Sequence, residues 1–498
     1  MVRITAHAVR AWMCIPLALA LSLGFGAGGQ GAVRQPQAAW PSPPPPRPGA
    51  ARSAAAASGL VTYVLMGEDG ARIARAITPA AQCPAIRIDG AEAPMSVRDP
   101  AGTMPLRPTR SDPALSKPSV FSALTCEAAI PILAKHASID GRPLPLPPRR
   151  ITRIVVIGDT GCRLKAADKA YQACNAPKDY PFAQIAESAA RWKPDLVVHV
   201  GDYLYRENPC PADMTGCAGS PWGYGEESWR ADFFDPAQPL LAAAAWAAAR
   251  GNHESCARAG QGWWRYMDPR PLVAGRDCND AANDDVGDYS DPYGVPLGGG
   301  AQLILFDSSN TPAKPLATDD PAFAHYRDTY QKIQALTVNA AHNILVDHHP
   351  ILAFAAGLSK TGDVKLAPGN GGLQSAFGSI NLQLFPANVD FLLSGHIHVW
   401  EALSFQEPYP AQIVAGFSGT QEDIVPLPAR PPADATPAPG AVVEAMSSWV
   451  DGFGFMTLTR EGPDHWLAQV RRINGAVVNA CQIHGTHLRC ARGQVHTH

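Results

Sequence analysis

The 498-residue sequence contains no long basic run and no basic stretch interleaved with aromatic residues, which removes nucleic acid from its expected partners. Past the amino terminus no apolar stretch approaches the length needed to span a bilayer, so no stable membrane span is expected in the mature chain. No internal repeat is visible, which sets aside solenoids and arrays of small modules. A chain of this length exceeds one compact core, and 46% hydrophobic content is ample for two domains plus extensions.

The amino terminus carries Arg3 and Arg10, then the apolar stretch AWMCIPLALALSLGFG, then small residues ending in Ala27, Gly28 and Gly29. This pattern reads as a cleavable signal peptide over residues 1–29, and it implies a periplasmic or secreted protein. Removing it leaves 39 basic against 44 acidic residues, a formal charge of −5. Residues 30–58, with PSPPPPRP and an Ala-rich continuation, read as a stiff linker. The ten cysteines left after Cys14 fall into sequence neighbours: Cys83 with Cys126, Cys162 with Cys174, Cys210 with Cys217, Cys256 with Cys278, and Cys481 with Cys490. In an oxidising compartment five disulfides are expected. The spacing of Cys481, His484, His487 and Cys490 leaves a zinc site open as the rival reading of the last pair.

Five short polar clusters punctuate the middle of the chain: GDTG from Gly158, GDYLY from Gly201, GNHE from Gly251, DHHP from Asp347 and GHIH from Gly395. Apolar runs precede four of them, ITRIVVI, DLVVHV, NILV and VDFLL. Such runs are buried strands covered on both faces, and the loops leaving their carboxyl ends are where α/β folds place ligands. Between the first two clusters, Phe182, Ile185, Ala189 and Trp192 recur at helical spacing, completing a β-α-β unit. GNHE follows the Ala-rich LLAAAAWAAAR, so its strand is expected to be short or absent.

Together the clusters offer Asp, Tyr, Asn and His side chains sufficient for two adjacent metal ions. Asp, Asn and neutral His suit borderline divalent ions, whereas a phenol with an ordinary pKa near ~10 binds as phenolate only when a strong Lewis acid displaces its proton. Tyr205 therefore points to a trivalent ion, Fe(III), beside a second divalent one, and Asp202 to a bridging carboxylate. Any one GD or GN pair alone is ordinary turn chemistry; the five in order carry the reading. Asp307 in LILFDSSN is expected to cap a turn, and His199 to be a hydrogen-bonded core histidine. Trp222, Tyr224, Trp229, Trp263 and Trp264 either line a cleft or pack loops.

In order and spacing the clusters resemble the purple acid phosphatase branch of the calcineurin-like metallophosphoesterases, which reads GD-x-G, GD-x-x-Y, GNH-[ED], H-x-P and GH-x-H. No histidine stands two residues after Asp159, and a tyrosine follows Asp202 by three; both features belong to that branch. The resemblance implies a ferric ion on Asp159, Tyr205 and His398, a divalent Fe, Zn or Mn ion on Asn252, His348 and His396, and Asp202 between them. His349 is the rival of His348 within DHHP. His253 is implied to face the substrate, binding the phosphate or protonating the leaving oxygen. Histidines that follow H-x-P in the plant enzymes have no counterpart in ILAFAAGLSK, and Arg163, Arg206 and His349 stand as the expected substrate contacts.

The implied fold is a four-layer α-β-β-α sandwich over residues 151–490, preceded at 59–148 by a small all-β, sandwich-like domain and followed by a disordered tail at 491–498. Residues 424–440 read as an inserted surface loop, and the segments after it as an antiparallel meander turning at Asn474 and Gly475. The implied activity is hydrolysis of small phosphomonoesters by a metal-bound hydroxide. The alternatives are a phosphodiesterase with two divalent ions and, in another class, a non-catalytic binding protein that keeps the fold.

Overall fold

The computed structural model describes residues 59–428, 432 and 436–491. The expected signal peptide, the linker, residues 492–498 of the tail and parts of the 424–440 loop lie outside the described residues.

Two sheets carry the fold. At the centre of the larger, Arg153–Ile157, Leu196–His199 and Ala245–Ala248 run parallel, and Gly454–Arg460 continues the sheet antiparallel to the first of them. The meander His465–Arg472, Val477–His484 and His487–Cys490 completes that flank, with Gly475 at φ 86° in its turn. The second sheet has the parallel strands Ala301–Leu305, His342–Val346, Val389–Ser394 and Ala411–Ala415, flanked by antiparallel Tyr293–Gly298 and Trp400–Phe405.

The two-residue period of these strands assigns the layers. Ile154 and Val156 face a core shared with Leu303, Leu305, Ile344 and Val346 of the other sheet. Val155 and Ile157 point the opposite way, onto Phe182, Ile185 and Ala189 of the helix Phe182–Arg191. On the far side, Ile304, Leu345 and Leu392 meet Tyr326, Tyr330 and Ile333 of the helix Pro321–Thr337. Strands apolar on both faces thus lie between a partner sheet and a helix, which is the α-β-β-α arrangement. Each fully buried Val, Leu or Ile side chain contributes roughly 1.5–3 kcal/mol through burial. The strand before GNHE is present but short, Ala245–Ala248.

Residues 59–148 are all-β: a four-stranded sheet that includes Ala85–Ile88 and Ala137–Ile139 shares a core with a second set of strands, and that second set is continuous with the larger sheet. Val61–Met66 pairs in parallel with Ala245–Ala248, Leu65 opposite Trp246, and Arg72–Thr78, Leu124–Ile130 and Ser96–Asp99 extend the larger sheet to eleven strands among the described residues. The physical reason is the composition of VTYVLM, which is apolar on both faces: Tyr63 and Leu65 enter the helix-side core, Val64 and Met66 the inter-sheet core. Such a strand needs cover on two sides, and the free edge of Ala245–Ala248 supplies a place to find it. The fully buried Arg75 and its neighbour Arg98 fasten the junction, both pairing with Glu127 and donating to the carbonyls of Asp268 and Trp264.

All five disulfides form between the sequence neighbours. The bond between Cys481 and Cys490 removes the alternative zinc site, since both thiols are consumed. Among the described residues no helix is long and apolar enough to cross a membrane.

Candidate dinuclear metal centre

The polar clusters converge where the parallel strands of both sheets end. Asp159 leaves its strand at φ 53°, Asp202 at φ 59° and His396 at φ 71°. Left-handed backbone is costly for residues with a Cβ, and it persists where surrounding structure fixes it. Here it turns three side chains sharply back over the strand ends. Glycines that open the clusters allow the approach: a Cβ on Gly251 would lie 2.1 Å from both the nitrogen and Oδ1 of Asp202, and one on Gly201 2.6 Å from Nδ1 of His348.

Two groups of donors result. In the first, the Tyr205 hydroxyl lies 2.8 Å from Asp159 Oδ1, 2.7 Å from Asp202 Oδ2 and 2.9 Å from His398 Nε2. His398 Nδ1 donates to the Gln421 carbonyl at 2.9 Å, which leaves the Nε2 lone pair for a ligand. In the second, Asn252 Oδ1 lies 3.0 Å from both His348 Nε2 and His396 Nδ1. His348 Nδ1 donates to the Val200 carbonyl at 2.9 Å, and its Nε2 stands 3.2 Å from Asp202 Oδ2. Asp202 therefore touches both groups. His349 donates from Nδ1 to the Ser308 carbonyl at 2.8 Å and lies beside His396, ring centroids 4.3 Å apart. His348, His349 and His396 can share one ion, as can Asp159, Asp202 and His348.

The donor set fits cations. Asp159 and Asp202 are buried, and the single proton of Tyr205 cannot satisfy two carboxylate oxygens and an imidazole nitrogen at once. Burial, with Asp159 and Asp202 adding to it, raises the phenol well above its ordinary pKa, so the proton gives way only to a strong Lewis acid. Burial works against a proton on His348, yet Asp202 beside it lifts that imidazole to about 10, a further sign of negative charge seeking a cation.

Several residues that shape the site are not among the expected ligands. Glu254, the acid of GNHE, accepts from the backbone amides of Gly251, Asp202, Tyr203 and Leu204 at 2.8–3.2 Å, clamping two of the clusters together. Asp232 does the same for the first two, accepting from Cys162 and Tyr205 amides at 3.0 and 2.8 Å. Ser308 Oγ accepts from the amides of His348 and His349. Glu207 Oε1 lies 3.0 Å from His253 Nδ1. Burial alone would raise Glu207, but His253 and Arg258 facing it bring the carboxyl down to about 2. Glu254 was within reach of the sequence through its motif; Asp232, Ser308 and Glu207 sit in loops whose folding brings them in.

The substrate contacts expected from sequence divide. His349 lines a cleft beside Asn252. Arg206 is corrected: it is buried, and its Nε is bonded to Asp232 at 2.5 Å, because the helical segment bearing Asp232 folds beneath the Tyr205 loop. Arg163 is drawn away to Asp168, 2.7 Å distant. Trp229, Trp263 and Trp264 are core residues, and Tyr224 is buried against Glu207. His199 is a core histidine, accepting from the Gly201 amide and bonded through Nε2 to Thr160. Asp307 caps Ser309 and pairs with Arg250.

Strand-end Asp, Asn and His clusters on two facing sheets define a metallophosphoesterase. The calcineurin-like phosphoesterase family profile matches residues 152–400, half of the chain, and the protein belongs to that family. Among solved structures, it is similar to a purple acid phosphatase from seeds of yellow lupin (Lupinus luteus), at 14% identity and a TM-score of 0.51, over 86% of this chain and 74% of that one. It also matches a structure of PhoD at 13% identity and a TM-score of 0.49, over 88% of this chain and 92% of the other. No curated protein is significantly similar in sequence.

Proposed function

We propose that the protein is an exported dinuclear-metal phosphohydrolase that cleaves phosphomonoesters, with residues 151–490 carrying the chemistry. One observation supports this most: Asp202 faces a group containing Tyr205, Asp159 and His398 on one side and a group containing Asn252 and His348 on the other. In this reading Fe(III) is held by Asp159, Tyr205, His398 and Asp202, and a divalent Fe, Zn or Mn ion by Asn252, His348, His396 and Asp202. When bound, such a pair supplies Lewis acidity toward the phosphoryl oxygens and an acidified water as nucleophile.

The chain's own groups do the rest. His253, with Glu207 behind Nδ1, keeps Nε2 toward Asp202 at 3.9 Å, where it can bind a phosphoryl oxygen or give a proton to the departing alcohol. His349, its Nδ1 engaged by Ser308, offers Nε2 to the substrate. The disulfides fit an oxidising compartment, the periplasm or the exterior. Metal analysis and a visible spectrum of the purified protein, paired with a monoester and diester panel, test the reading. A charge-transfer band with monoester turnover is expected; a colourless enzyme fully active with Mn, or one selective for diesters, would reject it.

A further inference from the structure

Beside the donor groups lies a cleft of about 490 Å³ whose wall includes Asn252 and His349. Its remaining lining is mixed: Arg110, Tyr289, Asn310 and Thr311 supply polar groups, and Pro312 and Leu316 are among its apolar ones. Arg110 is the outlier in origin, since it comes from the all-β segment that precedes the clusters.

Its position is built. On one side of it Thr109 is bonded to the Tyr224 hydroxyl, and on the other Ser111 is bonded to Asn208. Three residues before Arg110, Arg107 donates to the Cys278 carbonyl at 2.7 Å and pairs with Asp284 at 2.5 Å. The loop is thus fixed onto the catalytic part at both flanks, while Arg110 itself stays exposed. Among the described residues its hydrogen-bond partner is Asn310 Oδ1, at 3.5 Å, and no carboxylate forms an ion pair with it, although Asp288 lies within its electrostatic reach. The acid that shares the cleft, Asp320, is engaged in capping the helix Pro321–Thr337, accepting from the Ala322 amide at 2.9 Å. Asn310 is steadied by donating to the Tyr289 hydroxyl at 3.2 Å, and that ring stacks on His325, centroids 4.0 Å apart.

An arginine held on both sides but in no direct ion pair among the described residues, at the rim of the proposed phosphoester site, has the makings of an anion seat. Guanidinium groups are suited to carboxylate and phosphate through paired N–H donors. We infer that Arg110 and the Asn310 loop form a subsite for a second anionic group on the alcohol part of the substrate. The favoured substrates are then phosphomonoesters whose alcohol carries a carboxylate or a further phosphate. This rests on the phosphomonoesterase reading above, and it gives residues 59–148 a part in selectivity.

The test compares 3-phosphoglycerate with glycerol 3-phosphate, which share a three-carbon frame and differ in the carboxylate. With the metal-loaded full chain, the wild type is expected to favour 3-phosphoglycerate in kcat/KM, with the preference carried by KM. Arg110→Ala is expected to reduce that ratio about tenfold, the scale of one charge-assisted contact, and Arg110→Lys to recover part of it. Arg87→Ala, which removes an exposed arginine paired with Glu92 3.2 Å away, should leave the ratio where it was. A wild type indifferent to the carboxylate, or a ratio that survives Arg110→Ala, would overturn the subsite. Absence of turnover on both compounds would instead defeat the phosphomonoesterase reading. Calorimetric titration with the same two compounds then decides the subsite: an Arg110-dependent preference for 3-phosphoglycerate supports it, and equal binding rejects it.

Discussion

Glu207 and His253 face each other across 3.0 Å, both buried, and Tyr224 donates to the second Glu207 oxygen at 2.9 Å. Thr109, from the amino-terminal segment, is bonded in turn to Tyr224. The orientation of His253 thus depends on a chain of contacts that starts outside the catalytic part. Glu207→Gln keeps the shape and removes the charge. It is expected to lower kcat by roughly 10²-fold and to displace a limb of the pH profile, with metal content unchanged. Because the two residues act as a unit, the double variant with His253→Ala should cost little more than His253→Ala alone. Additive losses would show that Glu207 acts elsewhere.

Tyr205 and Asp202 separate two properties of the same centre. Tyr205→Phe is expected to abolish the visible band and reduce iron retention while leaving the second group of donors intact, which elemental analysis and a spectrum read directly. Asp202→Ala, which removes the carboxylate common to both groups, should take bound metal and activity to background together. A variant that keeps both metals and near-normal turnover would mean the assignment of this site is wrong.

Gly251 is a steric requirement. A Cβ there would fall 2.1 Å from Asp202 Oδ1, a separation that only displacement of the Asp202 loop relieves. Gly251→Ala is expected to destabilise by about 2 kcal/mol or more and to weaken metal binding as Asp202 shifts. Denaturant unfolding and metal titration check the two effects independently.

Glu401 makes stability depend on pH. Burial raises its carboxyl from 4.5 to about 8, and the Phe354 amide, donating at 3.2 Å, does not offset this. Between those values the unfolded chain has released a proton that the folded one retains. The contribution is complete below the unfolded value and is lost as pH rises through the window, by about 1.4 kcal/mol per unit at most. Glu401→Gln should remove that slope and make the protein more stable than wild type at pH 8, read as the difference between their denaturation curves. Parallel curves from pH 5 to 8 would show that Glu401 is not the source.

Much of the fold was legible because its signals are local. The runs RIVVI, LVVH and VDFLL announce two-sided burial through their own composition, and the helix Phe182–Arg191 through its apolar spacing. The disulfides followed from sequence proximity. How the all-β segment at 59–148 joins the larger sheet was not legible locally, because VTYVLM reads the same whether its partner is nearby or is Ala245–Ala248, far along the chain. Arg206 misled for a related reason: adjacency to Tyr205 suggested a substrate contact, and nothing local shows that Asp232 claims its guanidinium.

By itself the sequence determined the ligand types, their order and the strand-end loops that carry them, since glycine, carboxylate and imidazole at fixed spacing are properties of single short segments. Only the tertiary structure decided which atoms meet. It set Asp202 between two donor groups, put Glu207 behind His253, withdrew Arg163 and Arg206, and brought Arg110 to the cleft. Those outcomes depend on pairing and packing between residues tens to hundreds of positions apart, and such distances are fixed by the burial of whole strands and loops, which no short stretch of sequence encodes.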